Sequence, residues 1–330
     1  MKRPVIIIVL AVFAAGLIMG SFLFNNPDIK HSHSPERVIE NNFYEVRETG
    51  YRFVSPLLEC SYNVPSRLRQ MVGMREEVSI YIQNAQKRHE VQNVSFYYRD
   101  LHNGPWIGFN ETDLYVPASL LKVPILIAVL KRAEHDKNFL KETVFFTESH
   151  SIHYPGILGS QSLKPGRIYT IEALLEYMIV YSDNDAKDVL LYVIGDNVVE
   201  KILVEFGLTL ENPNLNGDFV SVIEYASFFR ILYNATFLSR EMSEKALEIL
   251  SRVEYKGGIS KNLPENIVVA SKFGERGFLD DDKKQLHDCG IVYLENRPYL
   301  LCIMTSGKDT NELNKVISDI SEIIFRHVSI

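Results

Sequence analysis

The chain has 330 residues, 46% of them apolar and 11% aromatic, enough to bury a substantial core, which excludes disorder as its overall state. Its 42 acidic and 35 basic residues interleave and leave a net charge of -7, so no extended basic surface is offered to a phosphate backbone and nucleic acid is excluded as an expected partner. Three cysteines, Cys60, Cys289 and Cys302, are too few and too scattered for a disulfide framework or a zinc site, although one disulfide stays open.

Lys2 and Arg3 precede an uncharged run from Pro4 to Phe24. About 20 residues at a 1.5 Å rise cross a ~30 Å hydrocarbon layer, and the flanking cations stay on the cytoplasmic side. Residues 1–25 are therefore expected to form an uncleaved membrane anchor, with the N-terminus in the cytoplasm and the rest of the chain outside it. A cleaved signal peptide is the competing reading, but Met19-Gly20-Ser21-Phe22 is a poor match to its small-residue cleavage site. Residues 26–65 are polar at first and without sustained period, which predicts an extracytoplasmic linker whose His31 and His33 are solvated.

From Ser66 to Lys87, apolar Leu68, Met71, Val78 and Ile82 predict a helix with one buried face. Alternation over Val94 to Leu101 and again over Trp106 to Phe109, with Asn103-Gly104 between, predicts a hairpin. Helical periodicity then dominates: Ser119 to His135, Thr170 to Tyr181, Ala186 to Ile194, Val198 to Phe206, Val220 to Tyr233 and Ser239 to Arg252. Strands return at Ile267 to Phe273, Cys289 to Leu294 and Tyr299 to Thr305, where Cys289 and Cys302 read as small buried hydrophobes. An amphipathic helix over Asn311 to His327 closes the chain. Strands at both ends with helices between predict a mixed α/β fold, one sheet built from distant segments with a helical lobe inserted, over a domain at 66–330.

Three short motifs occur in this frame. Ser119-Leu120-Leu121-Lys122 opens an apolar helix, Ser182-Asp183-Asn184 joins two helices, and Lys272-Phe273-Gly274 is expected to end a strand. Residues i and i+3 share a helix face, so the Lys122 amine comes within reach of the Ser119 hydroxyl. Serine is a weak nucleophile until a base adjoins it, and an amine among other cations and apolar walls can serve as that base. A helix start also turns backbone N–H groups toward a developing oxyanion. Each motif has a plainer reading, as helix cap, capping turn and solvated strand end; their conjunction and order point to acyl transfer. Ser306-Gly307-Lys308, which lacks partners, reads as a turn.

The motif set, with Tyr115-Val116-Pro117-Ala118, the stretch Met178 to Ala186, and Asn296-Arg297-Pro298-Tyr299, resembles the class A β-lactamases and related penicillin-binding serine hydrolases from about Val94 to the C-terminus. The resemblance implies a five-stranded antiparallel sheet flanked by helices with an all-helical lobe, and no cofactor or metal. It implies that Ser119 is the nucleophile, that Ser182 relays a proton to the leaving nitrogen, and that Asn184 binds Lys122 and the substrate amide. Lys272 would give positive potential for a substrate carboxylate, Gly274 completes that motif, and the backbone N–H of Glu275 is the second oxyanion donor.

Two departures stand out. Phe273 replaces the Thr or Ser whose hydroxyl helps hold the substrate carboxylate in the family, with Arg276 close enough in sequence to compensate. In the loop reading Glu211-Asn212-Pro213-Asn214-Leu215-Asn216, alignment on Leu215-Asn216 puts Asn212 where the family has its catalytic glutamate, and Glu211 falls one residue out of register. The expected function is a β-lactamase-like hydrolase acting on β-lactam amides with slow deacylation. The alternatives are a D-alanyl-D-alanine carboxypeptidase or transpeptidase acting on cell-wall peptides, and a penicillin-binding sensor domain that stays acylated.

Overall fold

The computed structural model describes residues 44–47, 50–61, 68–101, 104–148, 159–195, 197–206, 217–277 and 282–329. The expected anchor, most of the linker, the Asn103 side of the hairpin turn and the loop carrying Glu211 and Asn212 lie outside these residues. Among the described residues, no helix is long and apolar enough to cross a membrane.

The centre is a five-stranded antiparallel sheet in the order β4-β3-β9-β8-β7, with β3 at Asn93–Asp100, β4 at Trp106–Phe109, β7 at Val268–Gly277, β8 at Lys284–Tyr293 and β9 at Tyr299–Gly307. Alternation explains its two faces. Val94, Phe96, Tyr98, Leu301 and Ile303 point to one side, where helix α1 (Leu68–Lys87) and helix α8 (Thr310–Val328) cover them. The stripe Leu313, Val316, Ile317, Ile320 and Ile324 makes α8 amphipathic, and each such side chain contributes roughly 1.5–3 kcal/mol on burial. Tyr97, Ala270, Ile291, Leu300 and Met304 point to the other side, into the helical lobe.

The lobe is built around α2 (Lys122–His135), in which Val123 and every residue from Ile125 to Leu130 is buried, as expected for a helix packed on all sides. Around it stand α3 (Ile171–Val180), α4 (Asn184–Ile194), α5 (Asn197–Glu205), α6 (Val222–Asn234) and α7 (Arg240–Ser251). Thr170, Asp183, Ser221 and Ser239 each accept a backbone N–H at the start of their helix, and Ser221 with Glu224 forms a full capping box. A ribbon of β5 (Thr143–Phe146) and β6 (Arg167–Thr170) sits at its edge.

The structure departs from the sequence reading in three places. The expected linker ends early: β1 (Tyr44–Arg47) pairs with β2 (Leu57–Ser61), and Phe53 and Val54 between them are buried. The Glu244 carboxylate on α7 accepts the backbone N–H groups of Arg52, Phe53 and Val54, which fixes that segment to the lobe. Lys272-Phe273-Gly274 lies inside β7 rather than at its end, because pairing with β8 runs on to Gly277. Ser306 and Gly307 are the last residues of β9, not a turn, since Ser306 pairs with both Asn93 and Gln285. Cys289 and Cys302 are buried, as expected, face each other across β8 and β9, and form the disulfide that the sequence left open.

Candidate active site

Ser119 sits in a one-turn 3-10 helix, Ala118–Leu121, that runs directly into α2, with Lys122 as the first α-helical residue. The turn is held from outside. Val116 donates its N–H to Gln285 Oε1 at 3.0 Å, its carbonyl faces His287 Nε2 at 3.0 Å, and the Tyr225 hydroxyl donates to the Leu120 carbonyl at 2.8 Å. Burial pushes His287 down to about 4, so the ring is neutral at pH 7; Nδ1 accepts the Thr305 N–H and Nε2 donates to Val116. Ala118, just before the serine, has φ of 48°, a left-handed conformation that costs a non-glycine residue on the order of 1 kcal/mol or more. The edge strand β7 packs on this turn through Gly274.

Behind the serine, two lysines are almost wholly enclosed: Lys122 is 1% exposed and Lys272 0%. The Lys122 amine contacts the Ser182 carbonyl at 2.6 Å, the Ser182 hydroxyl at 3.1 Å and Asn184 Oδ1 at 2.8 Å. Lys272 donates to the same Ser182 hydroxyl at 3.0 Å and to the Phe273 carbonyl at 3.1 Å, and its ammonium lies 4.0 Å from the Phe273 ring centroid. Ser182 Oγ thus bridges the two amines, and its own φ of 55° is again left-handed. Asp183 fixes the bend: one carboxylate oxygen caps α4 at Ala186, and the other accepts the Leu163 N–H.

Burial pushes Lys122 well below the ordinary lysine range, helped by the charges of Lys272 and Lys187. Lys272 is lowered by burial to about 7, with Asp288 acting in the opposite direction. The Lys122 shift favours the uncharged amine, which in that form has two N–H donors and a lone pair that can take a proton from a hydroxyl. A serine at the start of a helix, a buried amine whose pKa burial lowers, and a bridging hydroxyl are parts that a serine acyl-transfer centre uses.

The structure brings Lys122, Ser182, Asn184 and Lys272 into one hydrogen-bonded cluster, and places Gly274 of β7 against the turn that carries Ser119. The expected Lys122 to Ser119 pairing takes a different form, because all three hydrogen bonds of the amine run to Ser182 and Asn184. Arg276, opposite Gln285, shares with Lys272 and Gly274 the face of β7 that meets the Ser119 turn, whereas Phe273 points to the other face. Glu275 lies on the Phe273 face, where its carboxylate accepts the Thr310 hydroxyl at 3.3 Å. Glu211 is outside the described residues. Sequence reasoning missed Gln285, His287 and Tyr225, which hold the Ser119 turn; the i, i+2 spacing of Gln285 and His287 with Cys289 was the signal that β8 starts earlier.

The family model described as the β-lactamase enzyme family matches residues 77–328, most of the chain. This chain belongs to the β-lactamase enzyme family. It is 23% identical over 238 residues to the β-lactamase VEB-1 of Pseudomonas aeruginosa, covering 66% of this chain and 79% of that relative. Two solved structures share the family fold. A β-lactamase from Chitinophaga pinensis superposes with a TM-score of 0.65 at 20% identity, over 77% of this chain and 98% of that one. A mutant of PBP-A, solved as its acyl-enzyme complex with penicillin G, gives 0.64 at 20% identity, over 77% and 96%. As a family member the protein is a serine β-lactamase-like hydrolase that works through an acyl-enzyme.

Proposed function

We propose that Ser119 is the acylated residue and that turnover is limited by release of the acyl group. The observation that carries this reading is the Ser182 hydroxyl held between Lys122 and Lys272 beside the Ser119 turn. Ser119 Oγ attacks the carbonyl carbon of the amide while its proton passes to the Lys122 amine. The oxyanion is met by backbone N–H groups, that of Ser119 itself and that of Glu275 on β7. As the C–N bond breaks, the proton moves from Lys122 through Ser182 Oγ to the departing nitrogen, leaving an ester on Ser119. Water then attacks that ester, releasing the acid and restoring the serine.

The second half needs a base for the water. Asn212 stands where the family carries its glutamate, and an amide does not accept that proton. Deacylation is therefore expected to be slower than acylation by a factor on the order of 10² or more. The site is extracytoplasmic in this reading, tethered by the apolar run at 1–25. The likeness to PBP-A supports a second reading, in which the same acylation serves a cell-wall D-Ala-D-Ala peptide.

Intact mass against time after mixing with benzylpenicillin is the test. A mass increase of one penicillin that persists, absent in Ser119→Ala, is the expected result. Labelling that survives Ser119→Ala would refute the nucleophile. Fast turnover with no accumulated adduct, lost in Glu211→Gln, would show that Glu211 supplies the base.

A further inference from the structure

Resting on the reading of Ser119 as the acylated residue, we propose that Asp218 is a positioning residue for acylation: it orients the side-chain amide of Gln285, which in turn fixes the peptide that leads into the nucleophile turn. In sequence Asp218 follows the stretch carrying Glu211 and Asn212, which belongs to release of the acyl group, yet its hydrogen bond runs to the machinery of attack.

The buried Gln285 side chain stands between two segments. Its Oε1 accepts the Val116 N–H at 3.0 Å, and its Nε2 donates to Asp218 Oδ1 at 2.9 Å. The Val116 N–H can only donate and the carboxylate can only accept, so both partners demand the same orientation of the amide, and a flipped amide would lose both bonds. The terminal torsion of glutamine has no sharp minimum of its own, so the partners set it. The backbone brings Asp218 to this place. Tyr115 donates its N–H to the Val220 carbonyl at 2.9 Å, and the Phe219 and Val220 N–H groups both meet the Tyr115 carbonyl, at 3.1 and 3.2 Å. Gln285 extends that ladder by one step, from Val116 to Asp218. The other Asp218 oxygen lies 3.8 Å from the Lys283 amine, both side chains partly exposed, which leaves Oδ1 to the amide.

What holds Val116 holds Ser119. His287, two residues along β8 on the same face, meets the Val116 carbonyl at 3.0 Å, so the peptide groups on both sides of Val116 are gripped by side chains of one strand. The imidazole is locked in turn by the Thr305 N–H on its other nitrogen, and Asp218 does the same for the amide. Between Val116 and the serine stand Pro117, whose ring fixes φ at -66°, and Ala118 in its left-handed conformation. A tilt of the Val116 peptide is therefore passed on to Ser119 rather than absorbed. The hydroxyl must meet a carbonyl carbon along a narrow approach, and a displacement of about 1 Å costs on the order of 10² in rate.

Acylation of the full-length protein by benzylpenicillin, followed by quenched intact mass over a range of concentrations, gives a limiting rate and a half-saturating concentration. Asp218→Ala is expected to lower the limiting rate about tenfold and to leave the half-saturating concentration unchanged. Asp218→Asn, which keeps an acceptor oxygen, should recover most of that loss. Gln285→Met removes both bonds at similar length and should lower the limiting rate by about 10². Adding Asp218→Ala to Gln285→Met should lower it no further, because Asp218 acts through the amide. A parent-like limiting rate in Asp218→Ala overturns the inference. So does a loss that multiplies in the double variant, or one confined to the half-saturating concentration, since Asp218 would then act by another route or on the substrate itself. Circular dichroism checks each fold; where Gln285→Met does not fold, the Asp218 variants decide alone, and Asp218→Asn slowed as much as Asp218→Ala overturns the inference. An adduct on the parent that Ser119→Ala abolishes upholds the nucleophile whichever way these variants fall. No adduct on the parent, or labelling that survives Ser119→Ala, overturns that reading and this inference with it.

Discussion

Gly274 lies so close to Pro117 that a β-carbon on it would stand 2.7 Å from the Pro117 carbonyl oxygen and 3.2 Å from the Leu120 backbone nitrogen. Backbone atoms cannot give way as a side-chain tip can, so the strand and the nucleophile turn fit together only with glycine at that position. Gly274→Ala is expected to displace Ser119 relative to Ser182 and slow acylation by a factor of about 10 to 10². Single-turnover acylation and circular dichroism on the same preparation test this: a folded protein with unchanged acylation would show that the turn is not set by β7.

Removal of the buried amine has a sharper effect. Lys122→Ala should reduce acylation by about 10² or more, and Ser182→Ala by somewhat less, because Ser182 still leaves the amine in place. Parent-like acylation by Lys122→Ala, followed by the same mass assay, would exclude the amine as base.

The enclosed lysine also links folding to pH. Lys272 drops from the ordinary lysine range to about 7 in the folded protein, so between pH 7 and about 10 the unfolded chain binds more protons than the native one. Stability therefore rises with pH through that window, and Lys122, shifted in the same direction, adds to it. Asp288, raised to about 6, and His287, lowered to about 4, act below this window and with opposite signs, so they do not mask it. Thermal melts from pH 7 to 9 should show a rising midpoint, and Lys272→Met should flatten the rise. A midpoint in the parent that falls across this range would contradict the sign.

The segment before β2 gives a prediction remote from catalysis. Glu244 accepts three successive backbone N–H groups at 2.7 to 2.9 Å. Glu244→Ala should cost about 2 kcal/mol of stability and release residues 50–56 to protease, with acylation unchanged. Parent-like protease resistance would show that burial of Phe53 and Val54 suffices.

Much of the fold was legible because long amphipathic segments leave a periodic signal: the helices fall within a few residues of where the spacing of apolar side chains puts them. The ribbons β1–β2 and β5–β6 were not, since such short strands show no sustained alternation. The first half of β8 was hidden for a different reason. Gln285, His287 and Asp288 are buried polar residues, and burial of a polar group depends on partners 29 to 171 positions away that a local window does not contain. At the site, motif order announced the residues but not their pairing. Lys122 turns to Ser182 and Asn184, 60 and 62 positions on, rather than to the serine one turn before it. Nothing in the sequence around Tyr255 marked it as packing on Phe273, with ring centroids 4.3 Å apart.

The contacts that shape the Ser119 turn come late in the chain. Tyr225, Gln285 and His287 reach back 105, 169 and 171 residues, and Gly274 belongs to the same closing set of strands. Loop closure over such separations is slow and is completed only when the last strands are present. During synthesis, which proceeds from the N-terminus, the serine emerges long before the groups that hold its turn in place. Chemical competence therefore arrives in one step with the finished sheet, and a truncated or stalled chain carries the nucleophile without the means to use it. Acylation of Ser119 thus doubles as a reporter of complete folding, readable on a single covalent bond.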